Sequence, residues 1–168
     1  MNDLPHSARL RWGRWSEPGA AYHITKCRVE GLQLSLADAT PARITINSIR
    51  WHQEREHAHL LSFVAMPDHV HWTFVLGEER TLGQVLKGFA SVTSRQIIQA
   101  CHLSPHVVWQ DEYHEHRLRS DERTWATVDY DHENPVRAGL CAEPEEWPWS
   151  TANAEYRGWI EEEYLDKG

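Results

Sequence analysis

Two apolar runs of strand length, "LLSFVAM" (60–66) and "HVHWTFVL" (69–76), meet at Pro67 and Asp68. Parallel strands need a crossover of about a dozen residues or more, so a two-residue break makes these runs an antiparallel, hairpin-like pair. Along the second run, side chains alternate between faces. Val70, Trp72, Phe74 and Leu76 share one face and anchor the strand in a core; His69, His71 and Thr73 share the other. The two imidazoles stand roughly 7 Å apart at Cα, twice the strand rise, from which both can reach one divalent ion. Imidazole suits zinc, manganese, nickel and related ions, whereas magnesium prefers oxygen; two ligands hold an ion weakly, so a third is required. Spacing alone leaves two readings open, ion ligands or satisfied polar residues.

Strand and helix signals alternate around this pair. "GAAYHITKCRV", Gly19 to Val29, has the alternating and β-branched residues of a first strand. From Pro41, "PARITINSIRWHQEREHAH" spaces Ile44, Ile49 and Trp51 among polar residues, behind a proline suited to a first helical turn. Thr81 to Leu103 sets Leu82, Val85, Leu86, Phe89, Val92 and Ile97 near a 3.6-residue period, with Thr81 as N-cap. "VVWQDEYHEHRLRS" reads as a loop entering a short edge strand around His116 to Arg119. Ser120 then caps a last helix, which Pro135 should end at about Asn134. The first six elements match a ferredoxin-like α+β fold, an antiparallel sheet with packed helices; the seventh is an added C-terminal helix.

At 168 residues the chain is about one domain long, with a core from about 20 to 140 and an aromatic, acidic tail over 141–168. No apolar run reaches the roughly 20 residues that cross a bilayer, and no apolar signal region follows the first charges, so a cytoplasmic protein with no membrane partner is expected. Cys27, Cys101 and Cys141 lack paired spacing and suggest neither a disulfide frame nor a thiolate zinc site. The net charge of -8 argues against nucleic acid. Eight of the 25 acidic residues lie beyond residue 140, however, and the nearly neutral remainder can carry a local basic face. Arg9, Arg11, Arg14, Lys87 and Arg95 are its candidates, with Arg117, Arg119 and Arg137. Twelve histidines make accidental pairs common: His57-Ala58-His59 and His114-Glu115-His116 share the form of the strand pair and read as solvated or hydrogen-bonded.

In the last helix Arg123, Thr127, Tyr130 and Asn134 recur at three or four residues and form one stripe, with Trp125, Val128 and His132 near the opposite side. Tyr130 is then either amphipathic core or a nucleophile one turn from an amide oxygen able to act as third metal ligand. In the second case an ion acts as a Lewis acid on a phosphoryl oxygen while Tyr130 forms a covalent intermediate.

Four blocks, "AMPDHVHWTFV", "LKGFASVTSRQI", "VWQDEYHEHRLR" and "VDYDHENPVRAGL", resemble in order and spacing the REP-associated tyrosine transposases, relatives of the small single-tyrosine insertion-sequence transposases of the HUH superfamily. The likeness runs from about Tyr22 to Leu140 and continues into "EEWPWST". It implies an HUH endonuclease fold whose added helix is catalytic, with His69 and His71 as the metal-binding pair, Asn134 as third ligand and Tyr130 as nucleophile. It also implies a magnesium or manganese ion and, as partner, single-stranded DNA hairpins from palindromic repeats, cleaved to a 5′-phosphotyrosine and a free 3′-hydroxyl and then rejoined. Arg9, Arg11, Arg14, Lys87 and Arg95 become the candidate DNA contacts. A monomer is the expected state, with a dimer exchanging the tyrosine helix as the alternative. Where the family often has "YIENNPV" this chain has "YDHENPV", and Asp131 is expected to be an exposed helix residue rather than an aid to the metal site. A hairpin-binding module without turnover is the alternative function, opposed by the intact set of His69, His71, Tyr130 and Asn134.

Overall fold

The computed structural model describes residues 16–104, 107–119 and 124–165. Among these described residues four strands, β1 (Ala21–Cys27), β2 (Ala58–Ala65), β3 (His69–Leu76) and β4 (His114–Arg117), form one antiparallel sheet in the order β2-β3-β1-β4. Helix α1 (Ala39–Glu54) links β1 to β2, α2 (Leu82–Ala100) links β3 to β4, and α3 (Thr124–Arg137) follows β4. This is the ferredoxin-like arrangement with an added C-terminal helix.

Alternation decides which face takes which helices. Tyr22, Ile24, Leu60, Phe63, Val70, Trp72, Phe74 and Leu76 of the strands are buried in one cluster with Ile46 and Ile49 of α1 and Val85, Leu86, Phe89 and Ile97 of α2. The opposite face carries a smaller cluster, Leu61, Val75, Val128 and Leu165, on which α3 rests. A register irregularity between Leu60 and Ser62 serves both faces. Leu61 is the extra residue of this bulge; Leu61 and Ser62 both turn toward α3, while Leu60 and Phe63 stay in the main core.

Strand β2 lies at the sheet edge, and the segment after α3 covers it. The Ala65 N–H donates to the Trp149 carbonyl at 2.9 Å, the Thr151 N–H to Phe63 at 3.0 Å and the Glu161 N–H to Leu60 at 2.9 Å. On the α1 side, Arg43 and Arg50 lie over the rings of Trp149 and Trp159, at 5.6 and 4.9 Å from their centroids. The edge backbone thereby gains partners that an open strand would seek from another chain.

Thr81 caps α2 as expected, in a capping box with Gln84. Two boundaries differ from expectation. β4 starts at His114, so His114 and His116 belong to the strand and pair with Thr25 and His23 of β1. α3 runs through Pro135 to Arg137. Its stop is Gly139, at φ 71°, where the Leu140 N–H reaches the Pro135 carbonyl and the Gly139 N–H reaches Val136, both at 2.9 Å. That bond pair closes a helix through a left-handed residue, which glycine adopts without Cβ strain. The N-cap expected at Ser120 lies outside the described residues. Among the described residues no helix is long and apolar enough to cross a membrane.

Candidate active site

The antiparallel register of β1 and β3 sets His23 opposite Thr73, Thr25 opposite His71 and Cys27 opposite His69. Paired residues point to the same face, so β1 adds His23 and Thr25 to the face that His69 and His71 occupy. Thr25 Oγ1 and His71 Nδ1 share a hydrogen bond of 2.9 Å, leaving His71 Nε2 to meet His69 Nε2 at 3.1 Å. On the far side of His69, Nδ1 lies 2.7 Å from Asp68 Oδ1. The His23 ring stacks on His71 with centroids 5.0 Å apart, and its Nδ1 lies 3.0 Å from Thr73 Oγ1.

Helix α3 buries the stripe Thr124, Val128, Asp131 and Pro135 against this face. Asp131 is therefore fully buried, which corrects the expectation of an exposed helix residue. Its Oδ2 accepts hydrogen bonds from Ser62 at 2.5 Å and Thr73 at 2.7 Å. Among the described residues its Oδ1 has no hydrogen-bond partner; it lies 3.5 Å from His23 Nδ1. Ligand atoms of His23, His71 and Asp131 all fall within 4.8 Å of one another.

The electrostatics suit a cation. Burial first, then the neighbouring His69, His23 and Arg137, push the His71 pKa down to about 3; burial and His116 push His23 down to about 4. Both rings are neutral near pH 7, so the approach of His23 to Asp131 is not an ion pair and no proton competes for the imidazole lone pairs. Burial pushes the Asp131 carboxyl up to about 7, opposed by the bonds from Ser62 and Thr73 and by the Arg137 charge. A buried carboxylate oxygen without a partner is costly unless a cation meets it. Two neutral imidazoles and this oxygen form a donor set that a divalent metal ion fits.

Tyr130 stands at the mouth of the cluster. It is half exposed, and its ring meets His71 and His23 edge-on at 5.7 and 6.0 Å between centroids. Asn134, half-buried, sits one turn further along α3. Lys87 and Arg95 are exposed on α2 and line a groove of about 1250 Å³ with Lys26, Trp109 and Tyr113. Lys26 alternates with His23, Thr25 and Cys27 along β1, so this groove opens on the helical side of the sheet, away from the histidine cluster. Arg9, Arg11 and Arg14 lie outside the described residues. The competing pair His57 and His59 splits between two structural roles: His57 Nδ1 lies 3.3 Å from His52 Nδ1, while His59 stacks on Tyr164 and meets Glu161 at 3.0 Å.

Sequence reasoning missed His23, Ser62 and the inward aim of Asp131. His23 carried a usable signal, since it alternates with the apolar Tyr22 and Ile24 on a recognised strand. Ser62 carried none, because its direction depends on the bulge.

The matched family model, described as "Transposase IS200 like", aligns with residues 22–130. The REP-associated tyrosine transposase of Escherichia coli (strain K12) is 29% identical over 92 residues, 54% of this chain and 52% of that protein. The chain thus matches about half the length of that curated relative. A solved REP-associated tyrosine transposase bound to a REP hairpin superposes with a TM-score of 0.65 over 90% of this chain and 82% of that one, at 22% identity, a likeness of fold. The family match spans well over half of the residues and includes the strands that carry the histidines: the chain belongs to the IS200-like transposase family.

Proposed function

We propose that this chain cleaves and rejoins single-stranded DNA hairpins, with Tyr130 as nucleophile and a magnesium or manganese ion as cofactor. The observation that carries the reading is Tyr130, open to solvent and edge-on to His71 and His23, next in sequence to Asp131, whose buried Oδ1 has no hydrogen-bond partner among the described residues. His69, His71 and Asn134 would hold the ion, with His23 and Asp131, whose ligand atoms lie within 4.8 Å of each other and of His71, as further donors. When bound, the ion supplies Lewis acidity toward a phosphate oxygen.

The phenolic oxygen of Tyr130 forms a bond to phosphorus as the bond from phosphorus to the 3′ oxygen breaks. The departing 3′ oxygen takes up a proton in place of the one the phenol gives up, leaving a 5′-phosphotyrosine and a free 3′-hydroxyl. Attack by a 3′-hydroxyl in the reverse sense restores the diester and frees the tyrosine. Thr25, bonded to His71, and Ser62 and Thr73, bonded to Asp131, hold the donor groups still while this occurs. Lys87 and Arg95, with Arg9, Arg11 and Arg14, would contact phosphates remote from the scissile one. Tyr130 rests against histidines of its own chain, which favours action as a monomer, and a DNA substrate favours a cytoplasmic setting.

The test is incubation of labelled single-stranded hairpin DNA with manganese. Wild type should give an SDS-stable adduct, and Tyr130→Phe should give none while still binding the hairpin. An adduct from the Phe variant overturns the assignment of Tyr130. Hairpin binding by wild type with no covalent product would favour the module without turnover.

A further inference from the structure

The guanidinium of Arg137 lies over the Tyr130 ring, its Cζ 4.3 Å from the centroid, and its Nη2 donates a hydrogen bond of 2.7 Å to the Tyr130 carbonyl. Seven residues, about two turns, separate the pair, so the side chain runs back along α3 in the direction helical side chains lean. Capping does not account for this course. Pro135 removes the N–H that would serve the Asp131 carbonyl, yet Arg137 bonds the carbonyl of Tyr130 instead. The ring thus carries a cation over one face and stands in T-shaped contact with two imidazoles. Arg137 is exposed, and among the described residues its remaining guanidinium N–H groups have no hydrogen-bond partner.

We propose that Arg137 positions the nucleophile, holding the Tyr130 ring against His71 and His23, and presents its unbonded N–H edge to a non-bridging oxygen of the phosphate under attack. This rests on the reading of Tyr130 as nucleophile. A guanidinium suits both tasks, because its planar face stacks on an aromatic ring while its edge forks onto phosphate. Lysine keeps the charge but lacks the plane and the fork. The same charge bears on His71 and Asp131, which places it at the site rather than on remote surface.

Single-turnover adduct formation in manganese separates positioning from general support of the fold. Arg137→Ala should slow it by about 100-fold, the scale of losing one oxyanion donor. Arg137→Lys should recover a minor part of that loss. The DNA concentration at half-maximal rate should move by less than about threefold, since one phosphate contact among many is removed. Manganese affinity measured by calorimetry should not fall, because the cation removed repels the ion rather than holding it. Wild-type rates in Arg137→Ala overturn the proposal, as does a rate loss matched by loss of manganese binding or full recovery by lysine. If wild type itself forms no adduct, the proposed reaction fails; the side-chain rotamer of Tyr130, read by NMR, still decides the positioning. A single Tyr130 rotamer in Arg137→Ala would then sink it.

Discussion

Asp131 follows the half-exposed Tyr130 in sequence and is fully buried, because one step along a helix turns a side chain by about 100°. Aspartate is a surface residue by default, so nothing local marked it as inward-facing. Its setting is assembled from Ser62 on β2, Thr73 on β3 and His23 on β1, residues far apart in the chain. His69 and His71, by contrast, were legible, since alternation within one strand fixes their common face. Burial raises the Asp131 carboxyl above its ordinary 3.8 to about 7. Its contribution to metal-free stability is therefore full below 3.8 and lost as pH rises toward 7. The lowered pKa values of His23 and His71 act in the opposite sense: their contribution is present above 6.5 and lost as pH falls toward about 4 and 3. Asparagine at 131 removes only the first effect. In chelator, Asp131→Asn should gain stability relative to wild type as pH rises from about 5 to about 8, as read by thermal unfolding. Manganese at a hundredfold over its Kd should stabilise wild type by about 2.7 kcal/mol and the variant far less. Equal manganese shifts in both proteins would remove Asp131 from the ion site.

Helix ends show how far local chemistry carries. The start of α2 was legible because a capping box needs only Thr81 and Gln84, three residues apart. The end of α3 was not, because two signals compete there and the nearer one loses. Pro135 biases Asn134 away from helical geometry. Its ring is nonetheless buried on the stripe that faces the sheet, and that packing carries the helix past it. Gly139 supplies the actual stop. The bulge at Leu61 was illegible for a related reason: β2 reads as one apolar run, and only its pairing with β3 decides which residue is extra. Gly139→Ala should cost about 1 kcal/mol through the positive φ, a fall in Tm of roughly 2–4 °C for a chain of this size. Amide exchange at Leu140, whose N–H closes the helix, should quicken in step. An unchanged Tm with unchanged protection would show that the end of α3 is held by something other than this cap.

At the scale of the whole molecule, the sheet order followed from element order, since antiparallel hairpin pairing and two helical crossovers leave few topologies open. The wrap of residues 147–165 around β2 did not, because its only regular pieces among the described residues are a four-residue helix at Ala154–Arg157 and a 3-10 turn at Glu162–Tyr164, too short to show a period. Its tryptophans read only as an aromatic anchor. In the fold it joins the two faces of the sheet: Arg43 and Arg50 of α1 stack on Trp149 and Trp159, while Thr151 lies 2.9 Å from His132 of α3 and Leu165 packs with Val128. The wrap thus blunts an edge and steadies the helix that carries Tyr130 and Asp131. Deleting residues 147–168 should therefore have two coupled effects. The N–H of Ala65 and the carbonyls of Leu60 and Phe63 lose their partners, so the truncated chain should associate with rising concentration, as read by size exclusion with light scattering. Loss of Leu165 and Thr151 should at the same time loosen α3, and limited proteolysis should cut within 124–137 before the sheet is attacked. Thr151→Val is the milder test: it keeps the shape and removes the hydroxyl bonded to His132 and to the Phe63 N–H, at about 1–3 kcal/mol for the groups left unpaired. A truncated protein that stays monomeric and keeps α3 protected would mean that the sheet edge and the tyrosine helix are held without the wrap.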